Sequence, residues 1–146
     1  MRKQITTIVV TLSLIATLTA LGIAAGLGTT VIANIPFDFN VSGKTLPAGK
    51  YTVSKGATQG VLIIQNAEKG TSAVTIGRGA DSKNDGKASL GFRRYGNQYF
   101  LASVTDGNKA SEMPVTKAER NAARGNNNLA MEIKPELVTV SATAGQ

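Results

Sequence analysis

IPFDFNVSGKTLPAGKYTV, residues 35–53, alternates apolar and polar side chains, breaks at Leu46-Pro47-Ala48-Gly49, and then alternates again. Ile35, Phe37, Phe39 and Val41 fall on one face, and Pro36, Asp38 and Asn40 on the other. Period two with one apolar face is the pattern of a half-buried strand. Pro36 has no amide to donate, which suits a strand start or a sheet edge. In the break, proline presets φ and glycine relieves the exit of a turn. Tyr51 and Val53 then share one face of a returning strand. The stretch therefore predicts a strand, a turn and a second strand, which is the opening of a β-domain.

Upstream lies a segment of different character. Arg2 and Lys3 are followed by Ile5 to Ala25, almost entirely Ile, Val, Leu, Ala and Thr. A basic start, an apolar run and short residues at Val31-Ile32-Ala33 predict a secretory signal, residues 1–33, cleaved before Asn34. The apolar run is also long enough to span a bilayer, so an uncleaved anchor is the alternative. The chain has no cysteine, which excludes lipid attachment through a thiol, disulfides and thiolate metal sites. It also lacks histidine, which removes the usual general base and the commonest metal ligand.

Downstream, residues 34–146 read as one exported β-domain. VLIIQN (61–66) and TSAVTIG (71–77) are short β-branched runs separated by turn residues. RGADSKNDGK (78–87) reads as a polar loop. ASLGFRRYGNQYFLASVTDGNK (88–109) contains Gly96-Asn97, a favoured two-residue hairpin turn. That turn sets Arg94 opposite Tyr99, Phe92 opposite Leu101 and Leu90 opposite Ser103. On the other face it sets Arg93 opposite Phe100 and Gly91 opposite Ala102. PVTKAERNAARG (114–125) predicts the one helix: Thr116 and Glu119 form a capping box and Gly125 suits a left-handed cap. LAMEI (129–133) and LVTVSA (137–142) close the chain as strands. About eight short strands and one helix predict a small antiparallel β-sandwich or barrel. The expected core is Phe37, Phe39, Tyr51, Val53, Ile63, Val74, Leu90, Phe92, Leu101, Met131 and Val138. The strands are too short and too poor in aromatics for an outer-membrane barrel.

Three blocks, IPFDFNVSGKTLPAGKYTV, FRRYGNQYFLASV and EMPVTKAERNAAR, together resemble a family of short secreted proteins common in acidobacterial soil bacteria. The resemblance covers most of residues 35–124. It implies export and a shared fold, and brings no catalytic residue. The stretch ASVTDGNKASEMP after the hairpin lacks the bulky aromatic that the family carries there.

Few residues here suit chemistry. Asp81, Asp85 and Gly86 imitate part of a calcium loop, but Lys83 puts a positive charge at a ligand position, so a solvated turn is expected. The acidic residues are spread singly, against the paired carboxylates that glycoside hydrolysis needs. The net charge of +7 is scattered. Arg93, Arg94, Tyr99, Lys117, Arg120 and Arg124 form the candidate polyanion or partner surface, since cations beside aromatic faces suit anionic polymers. The reading set against it is a cross-strand Arg94–Tyr99 pair and a solvated helix face. The resulting expectation is a non-enzymatic exported domain, periplasmic or extracellular, without cofactor or metal. It acts by binding or structural association with an envelope or extracellular partner. An anionic glycan is the alternative ligand, ahead of nucleic acid, and a carboxylate hydrolase the third reading. The membrane is met only through the N-terminal segment, if that is uncleaved.

Overall fold

The computed structural model describes residues 29–82, 85–125 and 133–145. Among these the chain forms eleven strands and one helix. The strands are β1 Thr30–Ile35, β2 Phe39–Val41, β3 Lys44–Leu46, β4 Gly49–Lys55, β5 Val61–Asn66, β6 Thr71–Ile76, β7 Arg78–Ala80, β8 Ala88–Tyr95, β9 Gln98–Asp106, β10 Ala110–Glu112 and β11 Glu136–Gly145. The helix, α1, is Lys117–Arg124. No helix among the described residues is long and apolar enough to cross a membrane.

The strands build a nearly closed barrel. The order β9-β8-β11-β1-β4-β5-β6 runs most of the way round. The chain then bends at Gly77, and β7 pairs with β10, which pairs back onto β9. A Cβ on Gly77 would lie 3.0 Å from the Cβ of Ser111, so a small residue lets β7 and β10 meet there. At the other end of the seam, β2 pairs in parallel with β9 and antiparallel with β3. The β2–β3 hairpin leans on β6: the Ser42 hydroxyl donates to Thr75 Oγ1 at 2.9 Å, and Lys44 Nζ donates to the Ser72 carbonyl at 2.6 Å.

Side chains fill the interior. Ile35, Phe39, Leu46, Tyr51, Ile64, Leu90 and Phe92 are fully buried, and each such burial is worth about 1.5–3 kcal/mol. Aromatic rings run through the core edge to face: Phe37 on Phe92 at 5.1 Å, Phe92 on Phe39 at 5.4 Å and Phe39 on Tyr51 at 5.0 Å. The Tyr51 hydroxyl donates to the Pro47 carbonyl at 2.7 Å, tying β4 to the turn that precedes it.

Several expectations are corrected. Residues 35–41 are two strands, because the ladder stops at Pro36 and Asp38 Oδ1 accepts from the Ala48 amide at 2.8 Å. The folded unit begins before Asn34: β1 starts at Thr30, with Val31 and Ala33 in the core. The phase of β5 and β6 is shifted by one. Leu62, Ile64, Ala73 and Thr75 are buried, while Ile63 is half-buried on the outer side and Val74 is 58% exposed. Four successive apolar residues in VLII carry no alternation to fix the phase. A bulge at Gly91/Phe92 moves Leu90 opposite Val104 and Gly91 opposite Ser103. The pairs nearer the turn stand as expected. Phe37 and Val138 are partly buried against the core. The polar loop 78–87 begins as strand β7, and the unforeseen β10 covers residues after the hairpin. Met131 and most of the LAMEI strand lie outside the described residues.

Candidate functional site

The β8–β9 hairpin turns at Gly96-Asn97, with Gly96 at φ 61° and Tyr95 paired with Gln98. A glycine with positive φ at the first turn position matches the right-handed twist of the strands. Arg93, Tyr95 and Phe100 face away from the barrel interior, and α1 lies over them. Thr116 caps α1 as expected, its hydroxyl accepting from the Glu119 amide at 3.1 Å. Ala118, Ala122 and Ala123 pack on Tyr95 and Phe100.

Glu119 departs from the capping-box role. It is 1% exposed, and its carboxylate accepts from Arg93 Nε, from Arg93 Nη2 at 3.3 Å and from the Tyr95 hydroxyl at 3.2 Å. Arg93 Nη2 also donates to the Met113 carbonyl at 3.2 Å. A buried charge is tolerable when paired and hydrogen-bonded in this way. The side chain that could reach back to the helix cap instead fastens the helix to the sheet. The sequence carried half of this signal, an arginine opposite Phe100 on an outer face, but not its partner.

The six residues of the candidate surface fall in three places. Arg93 is paired with Glu119. Arg94 and Tyr99 lie on the other face of the hairpin: the Arg94 guanidinium sits 5.4 Å from the Tyr99 ring centre and donates to Glu136 Oε2 at 3.2 Å. Tyr99 in turn stacks on Phe37 at 3.8 Å. Lys117, Arg120 and Arg124 occupy the exposed side of α1. The structure thus brings helix and hairpin together without bringing the six side chains together.

Most of the carboxylates so placed serve local structure. Asp38 holds Ala48, Asp85 accepts from the Lys87 amide at 3.1 Å, and Glu136 meets Arg94. Asp106 accepts from the amides of Asn108 at 2.9 Å and Lys109 at 2.8 Å and lies 3.9 Å from Lys55 Nζ. Burial pushes the Asp106 carboxyl up, but those amides and the charges of Lys55 and Lys109 outweigh it and hold the carboxyl below its usual range. No cluster of three or more potential metal ligands occurs among the described residues. Of the calcium-like loop, Lys83 lies outside them.

Two concavities lie near the β7–β10 seam. One, of about 30 Å³, is water-sized and sits at the barrel mouth between Val31, Val53, Leu62 and Val104, beneath Lys55 and Asp106. The other is an open groove of about 1180 Å³ between the 56–60 turn, β7 and the start of β10. Glycine and alanine form much of its floor, and its charged lining is Lys55, Arg78, Lys109 and Asp81. Sequence reasoning missed this groove, because the 56–60 turn, β7 and β10 that wall it are brought together by the Gly77–Gly60 contact and the β7–β10 pairing, which join residues far apart in the chain. Comparisons with protein-family models, with curated proteins and with solved structures find no match for this chain.

Proposed function

We propose that the protein is an exported, non-enzymatic barrel that works through its outer surface, by binding or structural association in the cell envelope or outside the cell. The observation that carries this reading is the interior. Phe37, Phe39, Tyr51, Phe92 and Leu90 fill the space where a ligand-carrying barrel of this kind keeps its cavity. Engagement then falls to the outside. The engagement of Asp38, Asp106, Glu119 and Glu136 in turns and ion pairs supports a structural role for those carboxylates over a hydrolytic one. The basic, apolar N-terminus and the resemblance to secreted proteins support export. Fractionation of the native host tests it: the protein is expected in the envelope, periplasm or medium, and recovery from the cytoplasm overturns the reading.

A second reading, binding of an anionic polysaccharide or other polyanion, is favoured by one observation. The open groove gathers three cations, Lys55, Arg78 and Lys109, against one carboxylate, Asp81, on a single concave surface.

A further inference from the structure

The residues that imitate a signal-cleavage site are the residues of a central strand. Val31 and Ala33, the short residues of Val31-Ile32-Ala33, are 3% exposed and belong to the core. Val31, Ile32 and Ala33 pair with Val53, Thr52 and Tyr51 of β4 on one side. On the other side they pair with Ala144, Thr143 and Ala142 of β11, and Thr30 pairs with Gly145. Cutting between Ala33 and Asn34 would remove most of a strand hydrogen-bonded on both edges. It would leave two new edges in the middle of the barrel and open its ring. The alternation that buries Val31 and Ala33 also puts short side chains two apart, which is the spacing a processing protease reads. One pattern has two explanations, and the pairing register selects the strand.

We infer that the export signal is severed upstream of β1, at or before the bond between Gly28 and Thr29. This inference rests on the export reading above. The sequence offers suitable small pairs there: Gly22 with Ala24, Ala24 with Gly26, and Gly26 with Gly28. The last of these leaves Thr29, an exposed residue one position ahead of β1, as the new terminus. The reaction is hydrolysis of one amide by water. The C–N bond breaks, the released segment ends in a carboxylate, and the barrel begins with a free amine.

Intact-mass measurement on the protein from its native host tests this, together with the Ala33→Val variant expressed in the same host. The expected mature chain begins at Ala25, Leu27 or Thr29. Ala33→Val is expected to be processed like the parent, because Ala33 is not the residue before the cut. A chain beginning at Asn34, or accumulation of unprocessed Ala33→Val, overturns the inference while leaving cleaved export standing. A mass for all 146 residues overturns both the inference and the cleaved-export reading.

Discussion

Glu119 joins two elements whose apolar contact is three helix alanines packed on Tyr95 and Phe100. Its amide belongs to the helix cap and its carboxylate to Arg93 and Tyr95. Glu119→Gln keeps the cap and removes the charge, leaving Arg93 without its counterion. Breaking a buried pair costs about 3–5 kcal/mol. Arg93 remains 19% exposed and can regain water, so a loss of about 2–3 kcal/mol is expected in urea unfolding. Replacing both partners, Arg93→Met with Glu119→Leu, is expected to recover most of that loss. A cost for Glu119→Gln below about 0.5 kcal/mol, the size of an ordinary surface change, would show that the pair does not hold the helix. Asp106 gives a pH dependence. Its folded pKa lies below the usual 3.8. The carboxylate therefore stabilises the fold above that value, and the contribution is lost as pH falls through the lower, folded one. Asp106→Asn keeps an oxygen for the Asn108 and Lys109 amides and removes the charge. The variant is expected to be less stable than the parent at about pH 7, with the gap closing as pH falls below the usual carboxylate range and through the folded value. A gap that persists unchanged in acid would contradict a charge-based contribution.

At the scale of elements, how much could be read depended on how much pattern each segment carried. The β8–β9 hairpin was legible because Gly96-Asn97 fixes its register, and only beyond the bulge do the pairs slip. The helix was legible from its cap. The run VLII was not, since four apolar residues in sequence fit either face, and only the sheet on both sides decides that Leu62 and Ile64 point inward. That choice is testable. Ile64→Ala is expected to cost about 3 kcal/mol, as other large-to-small core changes do. Val74→Thr, on the outer face, is expected to stay within about 0.5 kcal/mol. The opposite ranking in denaturant unfolding would put the strands in the other phase. The two ends of the barrel were underread for one shared reason. β1 was expected to begin after Ala33 and the last strand to end at Ala142. The missing residues are Thr30 to Ala33 on one side and Thr143 to Gly145 on the other, and Thr30 to Ile32 pair with Gly145 to Thr143. Long-range pairing leaves no mark in a local window. The same limit hid the Arg93–Glu119 pair and the groove, whose parts are far apart in sequence.

For the whole molecule the question is where its positive charge can act together. The helix cations Lys117, Arg120 and Arg124 lie along one exposed face, and Arg124 is also favoured by the negative end of the helix dipole. Arg93 is held by Glu119, and Arg94 by Glu136 and Tyr99. The groove is different, because Lys55, Arg78 and Lys109 come from separate strands and turns and line one concave surface, although Lys55 is shared with Asp106 at 3.9 Å. A polyanion lying there displaces counterions from at most three cations. For single-stranded or duplex nucleic acid as a reference, that corresponds to a slope of log affinity against log salt of about −2 to −3. Such a slope means weak binding that ends at modest salt, and early release from a heparin-like column is expected. Arg78→Gln with Lys109→Gln is expected to bring elution earlier still. Arg120→Gln with Arg124→Gln is expected to leave it unchanged, and to leave the helix formed, since glutamine and arginine have similar helix propensities. If the helix pair shifts elution and the groove pair does not, the charged face of α1 is the binding surface and the groove is not. If the parent holds to high salt and neither pair matters, the affinity comes from cations outside both.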